Sequence, residues 1–371
     1  MNQDFLKPRL TGKRFDEHTI PLEILKDFSA LEEMIIEVAK WKYKQEHPDS
    51  KRVQRNFSKG LELHLAQVED GSAKAAIVLM FSGLFPAENV QYFEAARVEI
   101  VQAIHQAQIG QPQVLPTHLL SYFDRFGRGL REGEAIRFQT IDSTEVALTP
   151  EIRKRLIRSA QVEEWTEEAT LRGRICEVDQ AKNSFHLELT DGTRLHALLA
   201  DQHLDTVLDA FQRYRRDKDH AFVLFQGVVK KDRQERLKEI ESVEHISPLD
   251  PLDVTLRLEA LSALRDGWLD GKGIAPKKNG LDWLAATFED NFDTSLALPY
   301  LYPTAEGGIQ AEWSLGAWEI SLEIDLFTHK AEYQAADIQS DAVTELELDL
   351  DLNETWQQLN RELRVIEGTQ T

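Results

Sequence analysis

The chain has 371 residues, 42% hydrophobic and 29% charged, which are the proportions of folded protein and too much chain for one ordinary core, so two or three domains are expected. A formal net charge of -21 opposes binding to a polyanion, and the single cysteine, Cys176, excludes an internal disulfide and any multi-thiolate zinc or iron–sulfur site. No apolar run approaches the roughly 20 residues that cross a bilayer, and the opening MNQDFLKPRLTGKRF lacks the apolar stretch of a signal peptide, so a cytoplasmic location without membrane association is expected.

A first module is expected over residues 1–150, with helices packed on an antiparallel sheet. Pro21 stands where a helix starts without losing a hydrogen bond, and Leu25, Phe28, Leu31, Ile35, Val38 and Lys42 recur at three- and four-residue steps until His47-Pro48-Asp49 stops the helix. Leu61, Leu63 and Leu65 then alternate with Glu62, His64 and Ala66, and the Glu69-Asp70-Gly71-Ser72 turn leads into an apolar run over 75–81, which predicts a hairpin. A second helix follows over 87–108, a shorter one over 116–126, and a strand over 134–140. Phe126-Gly127-Arg128-Gly129-Leu130-Arg131 follows a helix and lacks the remaining spacing of a phosphate loop, so it reads as a helix-terminating turn.

The charged helix near 151–160 and the acidic stretch Glu163 to Glu168 read as a connector over 151–168. A central module over 169–250 follows. It has strands over 170–178, 185–189 and 194–199, a helix capped by Asp201 that ends in Arg213, Arg215, Arg216 and Lys218, and strands over 221–229 and 237–246. That order suits a five-stranded barrel resembling the oligonucleotide/oligosaccharide-binding (OB) fold. A nucleic-acid reading would rest on Arg213, Arg215, Arg216, Lys218, Lys230, Lys231 and Arg233, although Phe185, Phe222 and Phe225 are expected to face the core instead of stacking on bases.

Pro248-Leu249-Asp250-Pro251 marks the start of a C-terminal module over 251–371. Two helices, near 256–264 and 280–292, are expected on a three-stranded antiparallel meander of strands 309–315, 318–326 and 329–334. The Glu345-Leu346-Glu347-Leu348-Asp349-Leu350 alternation suits an edge strand, before a last helix over 354–365. The fold class expected is therefore α+β with several modules.

The Asp266-Gly267-Trp268-Leu269-Asp270-Gly271 turn, the run from Tyr302 to Trp313 and the strand Glu319–Asp325 resemble a family of uncharacterised bacterial proteins with a Pro-Thr-x-x-Gly-Gly-x-x-x-Glu-Trp signature, carried here by Pro303, Thr304, Gly307, Gly308, Glu312 and Trp313. The resemblance covers about the last third of the chain, implies no catalytic role, and points to accessory, toxin–antitoxin-like or defence-associated loci. Read as residues, Pro303 fixes a turn, Gly307-Gly308 permits backbone angles closed to other residues, and Trp313 covers the sheet.

Glu312, Glu319, Glu323 and Asp325 are the one constellation suited to a divalent cation, and their alternation with Ile320, Leu322 and Ile324 equally describes a solvated strand face. Asp266–Gly273 fails as a calcium loop because Trp268 stands at a ligand position; Cys176, within a strand, reads as a buried small residue. With no catalytic residue identified and no cofactor implied, the leading expectation is a non-enzymatic interaction protein, the neutralising or scaffolding partner of a protein encoded nearby. The alternatives are a nucleic-acid-binding barrel and a metal-dependent hydrolase using the C-terminal carboxylates.

Overall fold

A computed structural model of the chain describes residues 2–368 apart from 16–18, 50–51, 55–56, 60, 70–72, 82–88, 141–143, 218–220 and 341. Lys218 and the centre of the predicted turn at 69–72 thus lie outside the described residues. The chain divides into two compact units: the first comprises 1–170, 195–198 and 226–244, the second 171–194, 199–225 and 245–371.

The first unit begins with two strands that sequence periodicity does not announce, β1 (Asn2–Leu6) and β2 (Arg9–Thr11). Both pair antiparallel with β4 (Ala73–Phe81), whose other edge takes β3 (Leu61–Glu69). Pro8 between them has no N–H to offer the ladder, and its carbonyl still accepts from the Ala75 amide at 3.0 Å. β5 (Ala135–Gln139) and β6 (Glu145–Leu148) complete a six-stranded sheet.

Helices α1 (Leu25–Glu46), α2 (Val90–Ile109), the short α3 (Thr117–Leu120) and α4 (Pro150–Ser159) share one core with that sheet. Gly110 ends α2 in the left-handed region at φ 71°, and Thr149 caps α4 by accepting from the Ile152 amide at 3.3 Å, with Pro150 in the first turn. Residues 163–168 differ from the expected connector. They open the 16-residue strand β7 (Glu164–Asp179), because Trp165 and Thr166 are buried between the carboxylates.

The middle sheet runs β11 (Leu237–Pro248), β10 (Phe222–Asp232), β7, β8 (Ser184–Leu189), β9 (Arg194–Leu198), and it curls as a half-barrel. The order of elements along the chain agrees with the expected one, but among the described residues the sheet stays open, with β9 and β11 as unpaired ends, and does not close into the expected barrel. Three local expectations change. Asp201 heads a single 3₁₀ turn before α5 (Leu204–Arg216) and makes no side-chain cap. Cys176 is half-buried because the β7–β8 register shifts between Ile175 and Glu177, leaving it on a bulge. Phe222 is also half-buried, with the Arg174 guanidinium 4.0 Å from its ring centre, while Phe185 and Phe225 are core residues as expected.

The second unit ends in an antiparallel meander of five strands, where three and an edge strand near 345–350 were expected: β12 (Tyr300–Pro303), β13 (Ile309–Leu315), β14 (Trp318–Ile324), β15 (Lys330–Asp337) and β16 (Val343–Asp349), the edge strand anticipated. The bracketing prolines, Pro299 and Pro303, disguise β12, and an edge position tolerates them. Inward-facing Ile309, Ala311, Trp313, Ile320, Leu322, Ile324, Ala331, Tyr333 and Leu348 form one core with α6 (Val254–Leu261), α7 (Lys278–Asn291) and α8 (Asn353–Gly368). No helix among the described residues is long and apolar enough to cross a membrane.

Candidate functional site

Strand alternation puts the residues between those core positions on the opposite, open face of the C-terminal sheet, and the register decides which of them meet. Gln310 lies opposite Glu323, Glu323 opposite Glu332, and Glu332 opposite Glu347, so three carboxylates stand abreast on β14, β15 and β16. All three are exposed. Directly opposed side chains start about 5 Å apart at Cβ, where like charges repel. The neighbouring carboxylates are relieved by neutral donors: Gln310 Nε2 donates to Glu312 at 2.8 Å, Gln334 Nε2 to Glu345 at 3.3 Å, and Ser314 Oγ to Glu319 at 2.8 Å. Among the described residues, no side chain donates to Glu323, Glu332 or Glu347. Tyr300 and Tyr302, opposite Glu312 and Gln310, are exposed on the same face.

At one end of this face lies an open groove of about 1170 Å³, whose walls include Ile274, Lys277, Thr304, Gly308 and Phe327. The signature residues build its rim. Thr304 Oγ1 accepts from the Gly308 amide at 2.9 Å, Gly307 turns through φ 88°, and a Cβ on Gly308 would stand 2.6 Å from the Ile324 carbonyl oxygen, so each glycine has its own reason. Pro303 closes β12, and buried Trp313 donates its indole N–H to the Ala297 carbonyl at 2.9 Å. Asp325 Oδ1 accepts from the amides of Phe327 at 2.7 Å and Thr328 at 2.9 Å, and the Thr328 and Phe327 bonds hold its carboxyl below the usual carboxylate range. Phe327 at the tip of that turn is 89% exposed.

The carboxylate quartet picked from sequence does not converge. Glu312 faces Ser321, and Glu319 and Glu323 lie four residues apart on one strand, roughly 13 Å at the strand rise. Asp325 is committed to its turn. Among the described residues no group of three His, Cys, Asp or Glu side chains is arranged to hold a metal ion. The structure instead joins Glu323 to Glu332 and Glu347, which the alternation on β15 and β16 flags only once the register is known.

The basic set is largely engaged with protein groups. Arg213 pairs with Asp209 one turn earlier on α5 at 2.9 Å, and Arg215 and Arg216 are exposed at the helix end, where cations complement the dipole. On β10, Lys230 holds Glu239 at 2.6 Å and Glu241 at 2.7 Å, contacts that push its ammonium pKa up. Lys231 pairs with Glu167, and Arg233 donates to the carbonyls of Gln161 and Val162 at 3.1 and 3.3 Å.

The first unit holds a second concentration of charge, this one buried. Arg153 is 3% exposed, and it donates to the carbonyls of Phe123 at 2.9 Å and Thr166 at 2.8 Å and stands 3.5 Å from Asp124 Oδ1. Asp124 in turn accepts from the Thr166 amide at 2.7 Å and its hydroxyl at 3.1 Å, and Arg128 donates to that hydroxyl at 3.2 Å. Asp27, also 3% exposed, has only a long 3.5 Å contact from the Gly129 amide to Oδ1, and Oδ2 has no partner. A Cβ on Gly129 would stand 3.4 Å from Asp27 Oδ2 and 3.8 Å from Glu168 Oε1, so these two carboxylates approach the same glycine. Burial, reinforced by Glu168 and opposed by the Gly129 amide, Arg153 and Arg128, raises the Asp27 carboxyl pKa to about 7. The Phe126–Arg131 turn anticipated from sequence is thus the roof of a charged core; the one sequence signal of that core is an aspartate in the apolar stripe of α1, four residues before Leu31.

Compared with protein-family models, characterised proteins and solved structures, the chain matches none.

Proposed function

We propose that this protein acts without chemistry of its own, by holding a basic protein partner against the open face of its C-terminal sheet. The observation that carries the reading is the row Glu323, Glu332, Glu347, three exposed like charges in register with no donor of their own among the described residues. Such a row disfavours the free protein slightly and rewards a ligand that brings cations. Tyr300 and Tyr302 on the same face add the amphipathic surface that interfaces favour. The net charge of -21 adds long-range steering of the same sign.

Proteins that act on nucleic acid present a basic patch or stripe, so a neutralising or scaffolding partner in a toxin–antitoxin-like or defence locus is the biological role this surface suits best. The carboxylate pairings of Lys230 and Lys231 give a nucleic-acid reading less support, and the spread of Glu312, Glu319, Glu323 and Asp325 gives a metal-dependent hydrolase less.

The test is purification of the full chain from its native host at low ionic strength, beside a variant with Glu323, Glu332 and Glu347 all changed to glutamine. A basic protein accompanying the wild type, lost in the variant and released by salt, is expected. A wild type that emerges alone, or a partner held equally by the variant, counts against the proposal.

A further inference from the structure

We infer that the open edge of β16 takes an added strand, and that its occupant is an extended segment of a basic protein in which lysine or arginine alternates with apolar residues. The inference rests on the reading of the acidic face given above and names how the partner engages it. β16 is the last strand of the sheet, in register with β15 from Lys330 opposite Asp349 to Ala336 opposite Val343. No further strand follows on its other side among the described residues. The opposite end of the sheet offers less: β12 has four residues, ends in Pro303, and its Leu301 carbonyl already accepts from Arg257 Nε at 3.0 Å.

The two faces of β16 specify what fits. Glu345, Glu347 and Asp349 lie on the open face, and Leu346 and Leu348 point to the core side. A strand laid against this edge places its side chains directly opposite these, alternating in the same period. The row Glu323, Glu332, Glu347 would gain a fourth position, and a cation there meets the carboxylate that lacks a donor. The intervening side chains of the added strand would extend the sheet's inner face beside half-buried Leu346. Val343, 56% exposed, begins the same edge with apolar surface. A second copy of β16 is a poor occupant, since it would set carboxylate against carboxylate. The same charges that block self-association thus select a basic partner.

The probe is a blocked peptide as long as β16 in which lysine alternates with valine, titrated into the full chain by calorimetry, with hydrogen exchange followed along 343–349. Two controls accompany it: the same peptide N-methylated at alternate amides, and one of the same composition with its lysines grouped together. The alternating peptide is expected to bind and to slow exchange in β16, and the N-methylated one to bind at least tenfold more weakly. The double variant Glu345→Lys/Glu347→Lys, checked for an unchanged circular dichroism spectrum, is expected to lose at least tenfold as well. Equal binding of the alternating and grouped peptides, abolished by changing Glu323, Glu332 and Glu347 to glutamine, overturns strand addition and leaves the acidic-face reading standing. Binding by neither peptide, or binding that the triple variant keeps without protection in β16, overturns both.

Discussion

In the first unit Asp27, Asp124 and Glu168 surround Arg153 and Arg128 beneath the Phe126–Arg131 turn, whereas in the second Glu323, Glu332 and Glu347 stand abreast in solvent with no cation in their row. Burial forces Arg153 and Asp124 into hydrogen bonds and leaves Asp27, which lacks a good partner, holding its proton, because an unpaired charge taken out of water costs several kcal/mol. Exposure lets the second group go unpaired, because water screens a repulsion worth about 1 kcal/mol or less. Charge that the fold needs is therefore tied to backbone carbonyls and amides, as Arg153 is. Charge that the fold merely tolerates is left free to meet something else. The contrast separates a structural cluster from a docking surface without appeal to composition, since both are acidic.

The comparison breaks most readily at Arg153. Changing it to methionine keeps the apolar stem and removes the guanidinium that links Phe123, Asp124 and Thr166, leaving Asp124 and Asp27 without their buried cation. A loss of about 3–5 kcal/mol is expected in urea unfolding of the full chain. A loss below about 1 kcal/mol would show that the cluster is no better anchored than the exposed row.

The second prediction concerns the one buried carboxylate that lacks a good partner. The Asp27 pKa is about 7 in the folded chain against an ordinary 3.8, so between these pH values the folded state keeps a proton that the unfolded state has released. Stability from this group is full below about pH 4, falls as pH rises, and levels off above about pH 7. The total is of order 4 kcal/mol at 1.36 kcal/mol per unit. Asp27→Asn, neutral at every pH, should remove this part of the slope and raise the thermal midpoint at pH 8 more than at pH 4. Thermal melts of the two proteins across pH 4–8 decide it; parallel curves would place the proton elsewhere.

How much of this the sequence discloses depends on whether a feature is periodic. α1, α2 and α5 were legible because their apolar residues recur every three or four positions, and β13 to β15 because theirs alternate. β1 and β2 were not: five and three residues are too few to show a period, and their place is set by pairing with β4 far along the chain. The stretch 163–168 was misread because its carboxylates outnumber the two residues, Trp165 and Thr166, that carry it into the core. The acidic row was half legible. Each strand shows which glutamates share a face, but only the turns at 325–330 and after Asp337 fix which of them stand opposite one another.

The smallest expected effect sharpens the comparison from the exposed side. Glu332 has a carboxylate opposite it on both neighbouring strands, so Glu332→Gln removes two repulsions at once without disturbing the strand. If the row is tolerated and not needed, the variant should be more stable than the wild type by a few tenths of a kcal/mol in dilute buffer. The gain should fade as salt shortens the Debye length from about 30 Å at 0.01 M to about 3 Å at 1 M, because both charges face solvent. Urea midpoints of the two proteins at low and high salt measure it. A stabilisation that survives 1 M salt would mean that the repulsion is shielded from solvent, and a destabilisation would mean that Glu332 has a partner in the free protein; either result would remove the row from the class of charges held for a ligand.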